Sequence, residues 1–241
     1  MITVVYVDDI IFGSNDDDIS HQFSQNMSKE FEMSMIGELT YFLGLQVFQS
    51  KQGIFIAQTK YLKEMLKNIG MGDCAHVSTP MTIGCKLSKE YIESHQADST
   101  LYRSMIESML YLTASRPNIM QVVGLVTRFQ YSPKEVHLLA IKRIFIYLKG
   151  TLEFVLWYSK SKNFTLTTYT DVDWAGSIDD RKSTSVTTFF LGECLVSWSS
   201  RKQSLVSLST VEAEYIATTD CCTQVLWMKQ TLKEIEVEYE S

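Results

Sequence analysis

Proline, cysteine and long apolar runs are scarce in this chain of 241 residues, and each shortage excludes a class of protein. Three prolines leave no proline-rich linker, and no apolar run reaches the ~18 residues of a membrane span. Five cysteines show no C-x-x-C spacing, so we expect reduced intracellular thiols rather than disulfides or zinc ligands. The N-terminus lacks the basic segment and cleavage site of a secretory signal. The sequence therefore predicts a protein of the cytoplasm or nucleus with no membrane partner.

Apolar residues make up 45% of the sequence and aromatic residues 12%, which excludes disorder and predicts one or two domains with sizeable cores. The formal net charge of −6 is unevenly distributed. Residues 101–210 carry 13 Lys and Arg against 8 Asp and Glu, or +5, whereas residues 1–100 carry −6 and residues 211–241 carry −5. Two interpretations stay open, a solvated surface or a shallow phosphate-binding face. The candidates for that face are Lys142, Arg143, Arg181, Lys182, Arg201 and Lys202.

The N-terminal residues predict a β-hairpin with two acids at its tip. An apolar, β-branched run over residues 2–7 leads into Asp8 and Asp9, and a second apolar run follows over residues 10–13. Aspartate is a common turn residue, but adjacent acids repel each other and a tight turn needs only one. The three acids at positions 16–18 are expected to cap the next helix, because acids favour a helix N-terminus.

A second hairpin and a helix follow. Strand patterns cover residues 39–48 and 54–57, and Thr59 is predicted to cap a helix that ends at Gly70. The polar stretch 73–99 lacks periodicity. Because such length is unusual inside one compact domain, it is predicted to be a flexible connection at a domain boundary.

Three helical patterns with short joints predict a small bundle. The first begins at Tyr102, the second at Ile119, and the third ends at Gly150. The third is predicted to open with a capping box over Ser132–Glu135, in which Pro133 takes the first helical position. His137 is expected on the surface of this helix, because no second His or Cys lies nearby in the sequence.

The stretch from Leu166 to Tyr215 carries the strongest chemical signal. A β-branched run leads to Asp171, two more strand patterns follow, and a helix opens at Ser209 with Glu214 in its second turn. A carboxylate on a first strand and one on a first helix can meet over a sheet edge. Two oxygen ligands on rigid elements are what a hard divalent cation needs, so this stretch is a candidate metal site.

Residues around the two carboxylates also have structural interpretations. Strand alternation places Asp173 on the same side as Asp171, so a supporting role stays open. Glu212 is expected to favour the helix N-terminus, whereas Glu214 begins the apolar face of the helix and is the preferred ligand. The strand tryptophans are expected to pack in the core rather than stack on bases. They are Trp157, Trp174 and Trp198.

The same stretch resembles the ribonuclease H domain of copia-type retrotransposon polyproteins. The matching residues are Tyr169–Ser177, Asp179–Ser185, Val196–Trp198, Ser209-Thr210 and Glu212–Tyr215. Upstream, Tyr6-Val7-Asp8-Asp9 resembles the polymerase signature of reverse transcriptases. Three further phrases are similar to the family between these motifs, namely Tyr41–Leu45, Tyr111–Pro117 and Tyr147–Thr151. The motifs follow the family's order over nearly the whole chain.

This resemblance implies an α+β protein in three parts. Residues 1–72 would be the C-terminal part of a reverse transcriptase, a partial palm- and thumb-like segment from the catalytic hairpin onward. Residues 73–151 would be a linker and short helical connection, and residues 152–241 a truncated ribonuclease H-like α/β sheet domain. Family members copy RNA into DNA and cleave RNA–DNA hybrids with pairs of Mg²⁺ ions. The implied catalytic and metal-binding residues are Asp8, Asp9, Asp171 and Glu214.

The resemblance also implies that both metal sites are incomplete. In the family, the third polymerase Asp precedes the hairpin, and the remaining nuclease carboxylates follow the helix that opens here at Ser209. We therefore expect this chain to lack both the third polymerase Asp and the remaining nuclease carboxylates. Two carboxylates cannot fix two divalent ions, so Mg²⁺ binding should fail, and no polymerase and at most trace nuclease activity is expected. Residues 237–240 are a candidate for filling part of the open strand edge.

Two alternatives accompany this expectation. One is a non-catalytic module that binds RNA–DNA hybrid, or DNA or RNA weakly, without cleaving it. Its candidate contacts are Arg181, Lys182, Arg201 and Lys202. The other is a chain that acts beside an intact polyprotein copy, which supplies the missing strand.

Overall fold

The structure is a computed structural model that describes residues 1–72, 75–91, 93–160 and 164–237. The chain divides into two compact units, Met1–Leu43 and Gly44–Ser241, and each is described by itself. Six α-helices and antiparallel sheets give the mixed α/β content that the sequence predicts. Helical residues before position 72, among them Leu62 and Leu66, share one buried cluster with the helices that follow. The described helices include none long and apolar enough to cross a membrane.

The first unit is a hairpin followed by a helix. Its elements are β1 (Ile2–Tyr6), β2 (Asp9–Gly13), α1 (Asp17–Glu30) and β3 (Tyr41–Phe42). The predicted hairpin is confirmed, because β1 and β2 pair antiparallel. The predicted cap is also confirmed, since the Asp16 side chain accepts a hydrogen bond from the Asp18 backbone N–H at 2.9 Å. None of the residues of this unit is buried.

The core of the second unit lies among its helices. They are α2 (Thr59–Asn68), α3 (Ser99–Leu112), α4 (Met120–Val126, between the 3₁₀ turns Pro117–Ile119 and Thr127–Phe129) and α5 (Glu135–Lys149). Met109, Leu112, Ile144 and Leu148 from this cluster are fully buried, which confirms the predicted helical bundle. Apolar residues at helical spacing form one stripe on each helix, and these stripes face one another.

Two antiparallel sheets and a long helix complete the second unit. The first sheet contains β4 (Leu45–Ser50), β5 (Gly53–Ala57) and β6 (Leu156–Ser159). The second contains β7 (Leu166–Asp173), β8 (Thr184–Leu191) and β9 (Cys194–Lys202), in that order. Helix α6 (Thr210–Glu234) begins at the predicted cap, Ser209, and packs on β7 and β8.

The predicted N-terminal caps of α2 and α5 are wrong, and so is the predicted surface position of His137. Gln58, not Thr59, precedes the first residue of α2, and the Thr59 hydroxyl instead donates to the Leu152 carbonyl at 3.2 Å. Helix α5 begins after Lys134 rather than in the box at Ser132. There the ring nitrogen Nδ1 of His137 accepts from the Lys134 backbone N–H at 3.0 Å. His137 is therefore a buried capping residue rather than a surface residue.

The predicted connection is irregular but is tied to its surroundings. Among its described residues only Ser99, the first residue of α3, belongs to a helix or strand, and Asp73, Cys74 and Ile92 lie outside the described residues. The His95 carbonyl accepts from the Glu135 backbone N–H, and the Ala97 N–H donates to the Pro133 carbonyl. These bonds fasten this part of the connection to the start of α5.

Candidate functional site

The acid pair of the first unit lies at the tip of the hairpin. Tyr6 pairs with Asp9, so Val7 and Asp8 form a two-residue loop and Asp9 is the first residue of β2. Both carboxylates are exposed. Val7 has a φ of +53° and a side chain that is 85% exposed, which is a strained conformation for a β-branched residue. The predicted arrangement of two adjacent acids at a hairpin tip is thus present.

Asp171 lies on β7 opposite Val186, and its side chain is exposed. Helix α6 covers the other face of this strand, because the Cys221 thiol contacts the Thr168 hydroxyl at 3.5 Å. Side chains alternate along a strand, so residues 168, 170 and 172 face α6 while Asp171 faces away from it. The first predicted ligand is therefore on the face of the sheet opposite the helix.

Glu214 is exposed on the flank of the buried stripe of α6. Ala213, Ala217 and Cys221 form that stripe at four-residue spacing, whereas Tyr215 is 72% exposed. Glu214 was preferred over Glu212 because an apolar helix face was predicted to begin there. Tyr215 does not belong to a buried face, so that prediction is wrong at this residue. A side chain on this flank can reach Asp171 only around the edge of β7, which pairs with no other strand among the described residues.

Glu212 has the structural role expected of it. Its Oε2 accepts from the Leu208 backbone N–H at 2.7 Å, and its own N–H donates to the Ser209 hydroxyl at 3.2 Å. These two bonds satisfy donors at the start of α6. Glu212 therefore contributes to capping the helix, as predicted.

Asp173 shares the exposed face of β7 with Asp171, as alternation predicts. A Cβ placed on Gly176 would lie 1.9 Å from Asp173 Oδ2, so the carboxylate is tucked against this glycine. Burial lowers the pKa of Arg128, and the charges of Asp180 and Asp173 oppose that shift. Arg128 therefore lies within electrostatic reach of Asp173.

The acids that the structure describes do not converge into a site for two Mg²⁺ ions. Over the described ranges, no three His, Cys, Asp or Glu side chains converge as a metal site would require. A pair of divalent ions needs several shared carboxylate oxygens for both charge and geometry. Residues 238–240, offered as a filler for the open edge of β7, lie outside the described residues.

The candidate basic residues are distributed over more than one face. Arg201 pairs with Ser185 on the α6 side of the sheet, and Lys202 pairs with Thr184 on the other side. Lys202 also forms an ion pair with Asp180 at 2.6 Å. Arg143 is held by the Thr79 hydroxyl at 3.0 Å. Arg181 is exposed, in a turn where its φ is +56°.

The strand tryptophans are less buried than predicted. Trp174 is 45% exposed, and its indole N–H donates to the Ser207 carbonyl at 3.3 Å. Trp157 is 36% exposed beside Phe55. The Trp198 indole donates to the Thr113 carbonyl at 3.0 Å. The core expectation is therefore wrong for Trp174 and Trp157, and Trp198 joins the sheet to the end of α3.

Two arginines of the helical region escaped the sequence analysis. Arg116 is 1% exposed and donates to the carbonyls of Thr151 and Leu152 at 2.5 and 3.1 Å. Arg128 donates to the Thr184 hydroxyl at 2.9 Å and thereby joins the end of α4 to β8. Neither was predicted to be buried, because an arginine at a helix end is usually a surface residue.

Comparisons of the sequence with known proteins identify the family to which the chain belongs. Residues 1–83 match the family described as reverse transcriptase (RNA-dependent DNA polymerase). The chain is 36% identical over 234 residues to a retrovirus-related Pol polyprotein from transposon RE1 of Arabidopsis thaliana, covering 97% of the chain and 16% of that protein. It is 33% identical over 227 residues to an uncharacterized mitochondrial protein of Arabidopsis thaliana, covering 94% of each.

A Pol polyprotein from transposon TNT 1-94 of Nicotiana tabacum is 34% identical, with 98% of this chain and 18% of that protein covered. The chain therefore belongs to the Pol polyprotein family of copia-type retrotransposons. It spans less than a fifth of the length of the two Pol relatives named here. No solved structure matches it.

Proposed function

We propose that this chain joins the catalytic hairpin of a copia-type polymerase to the first strands of a ribonuclease H-like domain, without substantial activity of its own. Residues 1–72 are assigned to the palm and thumb and residues 152–241 to the nuclease. The observation that carries the proposal is the placement of the nuclease carboxylates. Asp171 faces away from α6, Glu214 lies on α6, and no third acid of the described chain joins them.

Cleavage of a labelled RNA–DNA hybrid in the presence of Mg²⁺ tests this proposal. We expect the purified chain and its Asp171→Asn variant to release RNA fragments at the same background rate. Asp220→Asn, an exposed acid on α6, serves as a control with the same change in charge. Robust cleavage that disappears only in Asp171→Asn would overturn the proposal.

A second function, binding of hybrid without cleavage, is supported by exposed cations in the basic middle block. Arg181 and Arg201 are exposed at the two ends of the stretch between β7 and α6. Phosphate contacts by Arg and Lys give affinity that falls steeply with salt. Lys202 contributes less in this view, because Asp180 already neutralises its ammonium group.

A salt-dependent gel shift with the same hybrid tests binding. Arg181→Ala and Arg201→Ala are each expected to weaken binding about threefold or more at low salt, and to flatten its salt dependence. Lys202→Ala should weaken it less. Lys233→Ala, at the far end of α6, is the matched control and should leave binding unchanged. Absence of any shift at low salt would remove this function.

A further inference from the structure

The acid motif Asp179-Asp180 matches the family, yet the proposed function gives it no role. The structure shows what each acid contacts. Asp180 pairs with Lys202, whereas Asp179 accepts from the Ser88 hydroxyl at 2.7 Å and from the Lys89 backbone N–H at 3.0 Å. A carboxylate that receives two donors from one short segment holds that segment in place. Asp179 thus joins the turn after β7 to residues more than eighty positions earlier.

The segment that Asp179 holds is a strap, residues 86–91, which is anchored at its other side to the helices. Leu87 is 5% exposed and belongs to the helical core. The Ser88 carbonyl accepts from the His137 ring nitrogen Nε2 at 2.8 Å, because Nδ1 of that ring is the acceptor for Lys134. The strap is therefore fixed to the helices by the burial of Leu87 and the hydrogen bond of Ser88, and to the sheet by Asp179.

A cleft of about 360 Å³ lies between the strap and the sheet. The strap residues 87–90 line one side, and residues 177–180 and Lys202 line another. Arg128 lines it as well, half-buried, with one guanidinium nitrogen bonded to the Thr184 hydroxyl. Lys202 is paired with Asp180, whereas the Arg128 guanidinium donates to a neutral hydroxyl, that of Thr184.

We propose that Asp179 is a latch between the strap and the sheet, and that its release opens the cleft and presents Arg128 to a phosphodiester group of bound nucleic acid. A guanidinium suits this ligand because its planar donors match phosphate oxygens. The latch stands on the contacts above alone, whereas the phosphodiester ligand rests on the proposed binding function.

Hydrogen exchange tests the latch without any ligand. In Asp179→Ala, the amide of Lys89 loses its acceptor, so peptides covering the strap should exchange about tenfold faster while peptides of α3 keep their rates. Glu90→Ala removes one negative charge from the strap itself, leaves the acceptor at Asp179 in place, and should leave exchange unchanged. Equal strap exchange in Asp179→Ala, Glu90→Ala and the wild type would overturn the latch.

Binding of a fluorescent RNA–DNA hybrid at low salt tests the ligand. Asp179→Ala should bind about threefold tighter than Glu90→Ala, and adding Arg128→Gln should abolish that gain. If Asp179→Ala and Glu90→Ala bind equally, the assignment of Arg128 to phosphodiester fails although the latch stands. If no variant binds hybrid, the binding function fails and takes this ligand with it.

Discussion

The two compact units of this chain differ in what they bury. In the second unit, Gly44–Ser241, nineteen apolar residues form one buried cluster. In the first, Met1–Leu43, none of the residues is buried, and Val5 and Ile36 are 66% and 91% exposed. Both units have strands and helices of the predicted kinds. Regular secondary structure and a stabilising core are therefore separate outcomes of the sequence.

This difference follows from the number of apolar stripes available to each unit. Helix α1 and one two-stranded hairpin cannot enclose a side chain on all sides, and a two-stranded hairpin is marginal in water. The second unit has four helices whose stripes face one another and two sheets beside them. Stability should therefore reside in the second unit, while the polymerase-like acids lie on a weakly stabilised hairpin.

Core truncation should show the largest contrast between the units. Ile144 is 0% exposed in α5, so Ile144→Ala should lower the free energy of unfolding by about 3 kcal/mol through lost burial and a cavity. Val5→Ala in the first unit should change it by less than about 0.5 kcal/mol. Urea unfolding followed by circular dichroism measures both, and similar losses for the two variants would break the comparison.

Arg116 tests whether a buried polar side chain of the second unit contributes as much to the free energy of unfolding as a buried apolar one. Burial lowers the pKa of its guanidinium, a shift opposed by the charges of Tyr147 and Glu153. Arg116→Ala leaves the Thr151 and Leu152 carbonyls without their donor, so a loss of about 2–3 kcal/mol is expected. Arg201→Ala, an exposed control, should be nearly neutral. Thermal melts that place both variants at the wild-type midpoint would contradict this assignment.

The burial of His137 makes the stability of the second unit depend on pH. Burial lowers its pKa below the ordinary 6.5, a shift that the Ser88 carbonyl and Asp179 oppose and Lys134 reinforces. The unfolded chain therefore takes up a proton before the folded chain does, so stability falls as pH drops below about 6.5 toward the folded pKa. His137→Gln should reduce this slope relative to the wild type, and equal slopes for the two proteins would contradict the assignment. Urea midpoints across pH 7 to 5 measure both slopes.

The smallest effect is expected at the surface ion pair of Asp180 and Lys202. Partial burial raises the pKa of Asp180, but bonds from Lys202, Ser177 and the Lys182 backbone outweigh it and hold the pKa at about 2. Its stabilisation is present above pH 3.8 and is lost as pH falls toward 2. The carboxylate is 41% exposed, so Asp180→Asn should cost less than about 0.5 kcal/mol at neutral pH. A decrease of more than about 1 kcal/mol in the free energy of unfolding, measured by urea titration, would contradict a weak ion pair.

Elements whose pattern is local were predictable from the sequence. The hairpin at Asp8 and Asp9, the cap at Asp16 and the start of α6 at Ser209 all depend on neighbouring residues. His137 and Trp174 were not predictable, because their burial is decided by segments distant in sequence.

The site divides in the same way. Local alternation correctly put Asp171 and Asp173 on one face. It could not reveal that α6 packs on the opposite face, because that depends on the contact of Cys221 with Thr168. The latch of Asp179 on Ser88 spans ninety-one positions and leaves no periodic trace in the sequence.

Isothermal titration calorimetry of Mg²⁺ binding to the wild type and to Asp171→Asn tests most directly whether the chain has too few acidic ligands to bind two Mg²⁺ ions. We predict the same weak, unsaturating heat for both proteins, because Asp171 and Glu214, joined by no third acid among the described residues, supply too few ligands for two divalent ions. Two ions bound by the wild type and lost in Asp171→Asn would contradict it.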